Sequence, residues 1–172
     1  MIPLLIRHVL RFILLIGLQV LLLNNIQLNT YINPFLYVLF LLSLPVHLPK
    51  LLLLPIALIC GLTIDMFQNT PGMHAAACLL MVYVRPGWLK IIAPRDGYES
   101  DAEPTLNRFG PAWYLAYASL LVFVHHLLLF IIEIFRFSEF PETLGRILSS
   151  TVVTLSLILI AQYLTVKPKR AA

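Results

Sequence analysis

The sequence predicts an all-α, polytopic membrane protein, a bundle of six transmembrane helices that forms one domain over residues 1–172. Composition is the first observation: 60% of residues are hydrophobic, 12% are charged and the mean hydropathy is +0.90, whereas about 25% of residues in a typical soluble domain are charged. Long apolar runs are the second, because residues 12–23 and 152–161 contain at most neutral polar side chains, as a helix in lipid requires. The distribution of basic residues is the third, and it places both chain ends in the cytoplasm.

Six apolar segments are predicted to span the bilayer. The first has no small-residue cleavage site at its end, so it is expected to remain as an anchor. Asn33-Pro34 is typical of a helix start, Pro45 and Pro49 bracket a turn, and residues 69–72 form another turn. The second and fourth segments are short for a hydrocarbon core of about 30 Å, so flanking residues or a thinner bilayer must compensate. The predicted spans are 9–23, 34–48, 51–67, 73–84, 112–135 and 144–166.

Lysine and arginine positions predict the orientation, because cytoplasmic loops close to membrane spans contain them in excess. With six spans and a cytoplasmic amino terminus, only Arg136 and Arg146 of the twelve basic residues fall outside. The polar segment 85–110 is then a solvated cytoplasmic loop, and the net charge of +4 gives no indication of nucleic-acid binding. The basic residues expected inside are Arg7, Arg11, Lys50, Arg85, Lys90, Arg95, Arg108, Lys167, Lys169 and Arg170.

Four common catalytic and metal-binding motifs are absent from the sequence. It has no Gly-rich phosphate loop, His-Glu-x-x-His, Gly-x-Ser-x-Gly or Cys-x-x-Cys pattern, which argues against an enzyme, a cofactor and a metal. Cys60 and Cys78 lie in apolar segments and are expected to behave as small buried hydrophobic residues. His125 and His126 are adjacent on one predicted helix and point about 100° apart, so a shared metal site is disfavoured.

Asp65 is the most informative single residue. It is expected near the carboxyl end of the third span, where the helix dipole disfavours a negative charge. Two interpretations remain open: Asp65 is solvated at the interface or caps the turn at 69–70, or it is a structural hub or a partner contact, because acidic residues inside membranes are candidates for function.

A polar stripe is predicted on the fifth span and its end. His126 and Glu133 are seven residues apart and share a helix face, as do Glu133 and Arg136. Hydrogen bonding between helices is one interpretation, and a proton path is the other. The sixth span has a hydroxyl-bearing surface that is expected to support helix packing, formed by Ser149, Ser150, Thr151, Thr154 and Ser156.

The stretch 61–75, Gly-Leu-Thr-Ile-Asp-Met-Phe-Gln-Asn-Thr-Pro-Gly-Met-His-Ala, closely resembles the signature of the rod shape-determining MreD family. The family shows a Gly-Leu-x-x-Asp helix end, a short polar turn with Pro and Gly, and a helix that opens with small residues after a His. The residues that match are Gly61, Asp65, Pro71, Gly72 and His74. The resemblance implies that they fix the turn between two spans and present a defined outer surface to a partner.

The same resemblance implies a function in cell elongation. It suggests a non-enzymatic scaffold in the bacterial inner membrane that associates directly with MreC and supports lateral peptidoglycan synthesis and cell shape. Through the complex it would also associate with MreB, a RodA-type glycan polymerase and a penicillin-binding transpeptidase. No cofactor is implied, and the fold would be similar to the six-helix substrate-binding subunits of energy-coupling-factor transporters.

Two other functions compete with this one. A substrate-binding subunit of an energy-coupling-factor vitamin transporter would have a pocket at the outer side, but such subunits dock through an alanine-rich first helix, and the first span here has only Gly17 as a small residue. A proton-coupled carrier or membrane enzyme would depend on His126 and Glu133.

Overall fold

The computed structural model describes residues 2–25, 32–100, 102–134 and 140–165. Within these ranges the chain is helical without a β-strand, which confirms the predicted all-α class. The helices are α1 (Ile2–Leu21), followed by a 3₁₀ turn (Leu23–Asn25), α2 (Val38–Leu42), α3 (Lys50–Gln68), α4 (Met73–Ile91), α5 (Leu106–Phe109), α6 (Pro111–Glu133) and α7 (Phe140–Leu164).

Four described segments are long and apolar enough to cross a membrane: Ile6–Asn25, Lys50–Gln68, Pro111–Glu133 and Phe140–Leu164. Their outward side chains are mostly large and aliphatic, as a lipid-facing surface requires. Helix α4 is as long as α3 but is not one of the four, and it contains Arg85 and Lys90. Long helices thus cover five of the six predicted segments. Positions 135 and 166, where two predicted spans end, lie outside the described residues.

The prediction of a continuous helix over 34–48 is wrong. Only Val38–Leu42 is helical there, with turns and extended chain on both sides. Residues 34–44 are all buried, and α2 packs against α1. Irregular backbone is tolerated at membrane depth when protein, and not lipid, surrounds it. We refer to residues 32–46 as the central segment.

The prediction of a solvated loop over 85–110 is also wrong at its start. Helix α4 continues through Pro86 to Ile91, and Arg85 is completely buried because other parts of the chain solvate its guanidinium group. The remaining loop folds onto the end of the bundle, where Val46 N donates to Ala102 O at 2.8 Å and Glu103 forms ion pairs with Arg7 and Arg11.

Helix α4 packs against α3 on one side and α6 on the other, and α6 also packs against α7. A four-residue turn makes α3 and α4 antiparallel. Asn69 ends α3 in the left-handed conformation (φ 55°), and Gly72 precedes α4 with φ 82°, a value that glycine adopts without strain.

Candidate functional site

Asp65 connects the two helices of this hairpin. Its carboxylate accepts hydrogen bonds from the backbone N–H groups of His74 and Ala75, both at 3.0 Å, and from the Thr70 hydroxyl at 2.8 Å. These N–H groups belong to the first turn of α4. The N–H groups of a first turn have no acceptors within their own helix, and the positive end of the helix dipole lies there. The negative charge that the end of α3 disfavours is therefore stabilised by the start of α4. We call residues 65–75 the hairpin corner.

Gly61 allows the two helices to approach closely. A Cβ atom at this position would lie 2.4 Å from the Cα atom of Ala75 and 2.7 Å from the carbonyl carbon of His74. Both are backbone atoms that cannot move without shifting α4. Of the family-matching residues, Gly61, Asp65, Gly72 and His74 thus come together around the hairpin, and Pro71 lies in its turn.

His74 links the hairpin corner to the buried centre. Its Nε2 lies 3.0 Å from Gln68 Oε1 and its Nδ1 lies 2.9 Å from the Tyr37 hydroxyl. Because an amide oxygen only accepts, Nε2 carries the proton and Nδ1 accepts from Tyr37. The Tyr37 oxygen is then free to accept from His125 Nε2 at 2.7 Å. The result is one directed chain of hydrogen bonds from α6 through the central segment to α4.

Side chains of α1 and α7 form hydrogen bonds with the backbone groups in the first half of the central segment. Ser150 Oγ accepts from Asn33 N at 3.1 Å, and Thr154 Oγ1 accepts from Phe35 N at 3.0 Å. Gln19 accepts from Tyr37 N and donates to Pro34 O. Buried backbone groups without partners are costly, so these residues replace the hydrogen bonds that a continuous helix would have made.

Arg85 and Tyr117 form hydrogen bonds with the backbone carbonyl groups in the second half of the central segment. The carbonyl groups after α2 have no partners within that short helix. Arg85 donates to the carbonyl oxygens of Leu44 and Pro45, and to the Tyr117 hydroxyl at 2.7 Å. Tyr117 in turn donates to Leu42 O at 2.9 Å. Within the described chain no carboxylate pairs with Arg85, so carbonyl dipoles and the Tyr117 ring stabilise its charge.

The two described members of the predicted polar stripe, His126 and Glu133, belong to separate sets of contacts. His126 is buried, and its ring contacts the carbonyl oxygen of Val122 (2.8 Å) and the hydroxyl of Thr154 (3.2 Å). Glu133 instead pairs with Arg146 of α7 at 3.1 Å. Arg136 lies outside the described residues.

A cavity of about 800 Å³ opens next to the hairpin corner. It lies between the end of α1, the start of the central segment, the facing ends of α3 and α4, and the end of α6. His74, Gln68 and Glu133 line it, together with Gln19 and Asn24. Two of the predicted site residues, His74 and Glu133, are thus brought to one site.

Sequence reasoning misses Gln19, Tyr37 and the buried role of Arg85. Gln19 has a usable signal, because a lone amide inside an apolar run is costly in lipid and suggests a buried partner. Tyr37 has none, since a tyrosine in an apolar segment is equally compatible with lipid contact. Arg85 is misplaced in the loop because a basic residue at the end of an apolar segment is typical of a topology signal.

Among the described residues, no group of three or more His, Cys, Asp or Glu side chains is arranged to hold a metal ion. Comparison of the chain with known protein families, with curated proteins and with solved structures finds no match.

Proposed function

We propose that the chain is a non-enzymatic scaffold of the MreD type in the bacterial inner membrane, with both termini in the cytoplasm and the hairpin corner on the outer side. It would associate directly with MreC, and through MreC with MreB, the glycan polymerase and the transpeptidase, to support lateral wall synthesis. The resemblance of residues 61–75 is the source of this proposal.

One observation supports a scaffold: the ionisable groups of the hairpin corner are fully used in holding the fold. Both carboxylate oxygens of Asp65 accept hydrogen bonds, and both ring nitrogens of His74 have partners. These bonds give both side chains a structural role, because they join the end of α3, the turn and the start of α4. A corner of fixed shape supports the scaffold proposal, because binding to a partner in the membrane needs close packing against a defined surface.

Depletion of the protein in the bacterium that encodes it tests the proposal. We expect loss of the elongated shape, arrest of lateral wall growth, and copurification of a single-span partner with the tagged chain. Expression of the wild-type protein should restore the shape. A Gly87→Ala variant should do so too, because the added Cβ atom has no neighbouring atom within 4 Å. Normal morphology after depletion would contradict the proposal, as would turnover of a substrate by the purified chain alone.

A further inference from the structure

The cavity beside the hairpin corner has the size of a ligand site. Its volume of about 800 Å³ falls within the roughly 300–1,000 Å³ of pockets that bind small molecules. Five parts of the chain contribute to its walls. It is therefore a feature of the tertiary fold and not a groove along one helix.

The polar part of the wall is fixed by its own hydrogen bonds. Asn24 Oδ1 accepts from Gln19 Nε2 at 2.9 Å and from Gln68 Nε2 at 3.0 Å, and Gln68 Oε1 accepts from His74. These bonds orient the side chains before any ligand arrives, which reduces the entropy lost on binding.

The same wall retains unused donors and acceptors. The Asn24 amide NH₂ has no partner in the described chain, and neither end of the Asn33 amide has one, although the Asn33 backbone is bound to Ser150. An amide presents donors and acceptors side by side. A hydroxyl group, which also does both, is the matching group on a ligand.

The described wall of the cavity offers little net charge to a ligand. Glu133 is the one acidic side chain among the described lining residues, and Arg146 neutralises it across 3.1 Å. No lysine or arginine lines the described wall. An anionic or a cationic ligand would lose hydration without gaining a counter-charge, so the site favours an uncharged one.

The apolar part of the wall is mixed and includes one exposed aromatic ring. Phe67 is 59% exposed, whereas Phe35 and Phe130 are almost fully buried. The other apolar lining residues are Val20, Leu23, Ile32, Pro34, Met73 and Leu129. The flat face of Phe67 beside oriented amides suits a ring that has hydroxyl groups at its edge and C–H groups on its face.

We propose that this cavity binds a neutral saccharide, either as a free sugar or as the head group of a glycolipid. The scaffold proposal concerns binding to protein partners, whereas this one adds a small-molecule ligand that binds beside the hairpin corner. It depends on the cavity and its wall, and not on the identity of any protein partner.

Calorimetry on the full chain tests the proposal, using protein purified in a detergent without a sugar head group. Maltose is the free probe, and nanodiscs containing diglucosyl diacylglycerol present the membrane-bound form. Heat of binding with maltose indicates a free sugar, and binding only to the glycolipid indicates a head group. Absence of binding to both probes at millimolar concentration would overturn the proposal.

Two variants separate specific binding from surface adsorption. Val20→Trp places a large side chain in the cavity and should abolish binding, whereas Val9→Trp on the exposed face of the same helix should not change it. Asn33→Leu should weaken binding about tenfold through loss of hydrogen bonds, while Asn107→Leu, exposed on α5, serves as its control. Unchanged affinity in Val20→Trp would overturn the assignment to this cavity.

The same variants distinguish this proposal from the scaffold proposal. Val20→Trp should still fold, as judged by its elution profile and melting temperature, and should still copurify with the single-span partner. Loss of saccharide binding in Val20→Trp supports the saccharide proposal, and retained association of this variant with the partner supports the scaffold proposal. Saccharide binding that survives in every cavity variant would refute only the present one.

Discussion

Gly61 is the residue at which the backbones of α3 and α4 come closest. A Gly61→Ala substitution would place a Cβ 2.4 Å from Ala75 Cα, so α4 would have to shift away. We expect a loss of about 1–3 kcal/mol in unfolding free energy, the usual cost of overpacking. The melting temperature of the purified protein in detergent measures it.

Gly87→Ala is the matched control for that substitution. Gly87 is also helical and lies on α4 itself, and a Cβ atom added there would have no neighbouring atom within 4 Å. The substitution should be neutral or gain up to about 1 kcal/mol from higher helix propensity. Equal effects of the two substitutions would show that Gly61 has no special packing role.

Arg85 illustrates how a buried cation can be structural. Replacing it with Met keeps much of the apolar stem but leaves the carbonyl groups of Leu44 and Pro45 and the Tyr117 hydroxyl without their donor. Each unpaired buried group costs about 1–3 kcal/mol, so Arg85→Met should strongly destabilise the fold.

Lys90→Met is the control for Arg85→Met, because it removes a positive charge from the same helix at an exposed position. Lys90 lies on the same helix and is exposed, so removal of its charge should have little effect on thermal stability. Arg85→Lys should fall between wild type and Arg85→Met, because one ammonium group cannot reproduce the planar set of guanidinium donors. Wild-type stability of Arg85→Met would refute the structural role.

Among the elements, the central segment depends on hydroxyl groups from α7. A Ser150→Ala, Thr154→Val double variant removes the acceptors of Asn33 N and Phe35 N. We expect a loss of about 1–4 kcal/mol, since one buried and one half-buried N–H group become unpaired. Unfolding of the purified protein by heat or denaturant measures this loss.

Ser156→Ala provides the control on the same helix. The Ser156 hydroxyl is exposed and donates only to Val152 O within α7, so its removal should change stability by less than about 0.5 kcal/mol. If all hydroxyl groups of α7 served only general helix packing, the control and the double variant would have similar effects.

The boundaries of the long helices could be predicted from sequence far better than the central segment. Apolar length and breakers such as the 69–72 turn locate α3, α4, α6 and α7 within about two turns, because lipid imposes the same composition on every spanning helix. Residues 34–48 have that composition too, yet protein surrounds their first part. Hydrophobicity does not distinguish burial in protein from burial in lipid.

The hairpin corner could be predicted in part for a different reason. A turn with Pro and Gly after an aspartate is visible in a linear sequence, and its contacts, such as Asp65 to Ala75, span only ten residues. The Tyr37 to His125 contact joins positions 88 residues apart, and the cavity wall combines residues as distant in sequence as Gln19 and Glu133. No local pattern encodes such contacts, so they emerge only from the three-dimensional packing.

For the molecule as a whole, polar groups are divided between the interior and the two ends. The interior ones, such as Gln19 and Thr154, bind the central segment, while the charged loop around Glu103 closes the end opposite the hairpin corner. The hairpin corner includes the start of α4 and this loop follows its end, so the two lie at opposite ends of that helix. We propose that the membrane separates them, with α4 as one of the spans.

Cysteine labelling in intact cells tests that separation. Cys60 and Cys78 are both buried and are replaced with Ala to give a background without cysteines. Single cysteines are then introduced as Asp96→Cys in the loop and Pro71→Cys in the turn. Because most basic residues lie at the loop end, a membrane-impermeant maleimide should label position 71 in intact cells and position 96 only after permeabilisation. Labelling of position 96 from outside would reverse the proposed orientation, and labelling of both positions from outside would exclude a membrane-spanning α4.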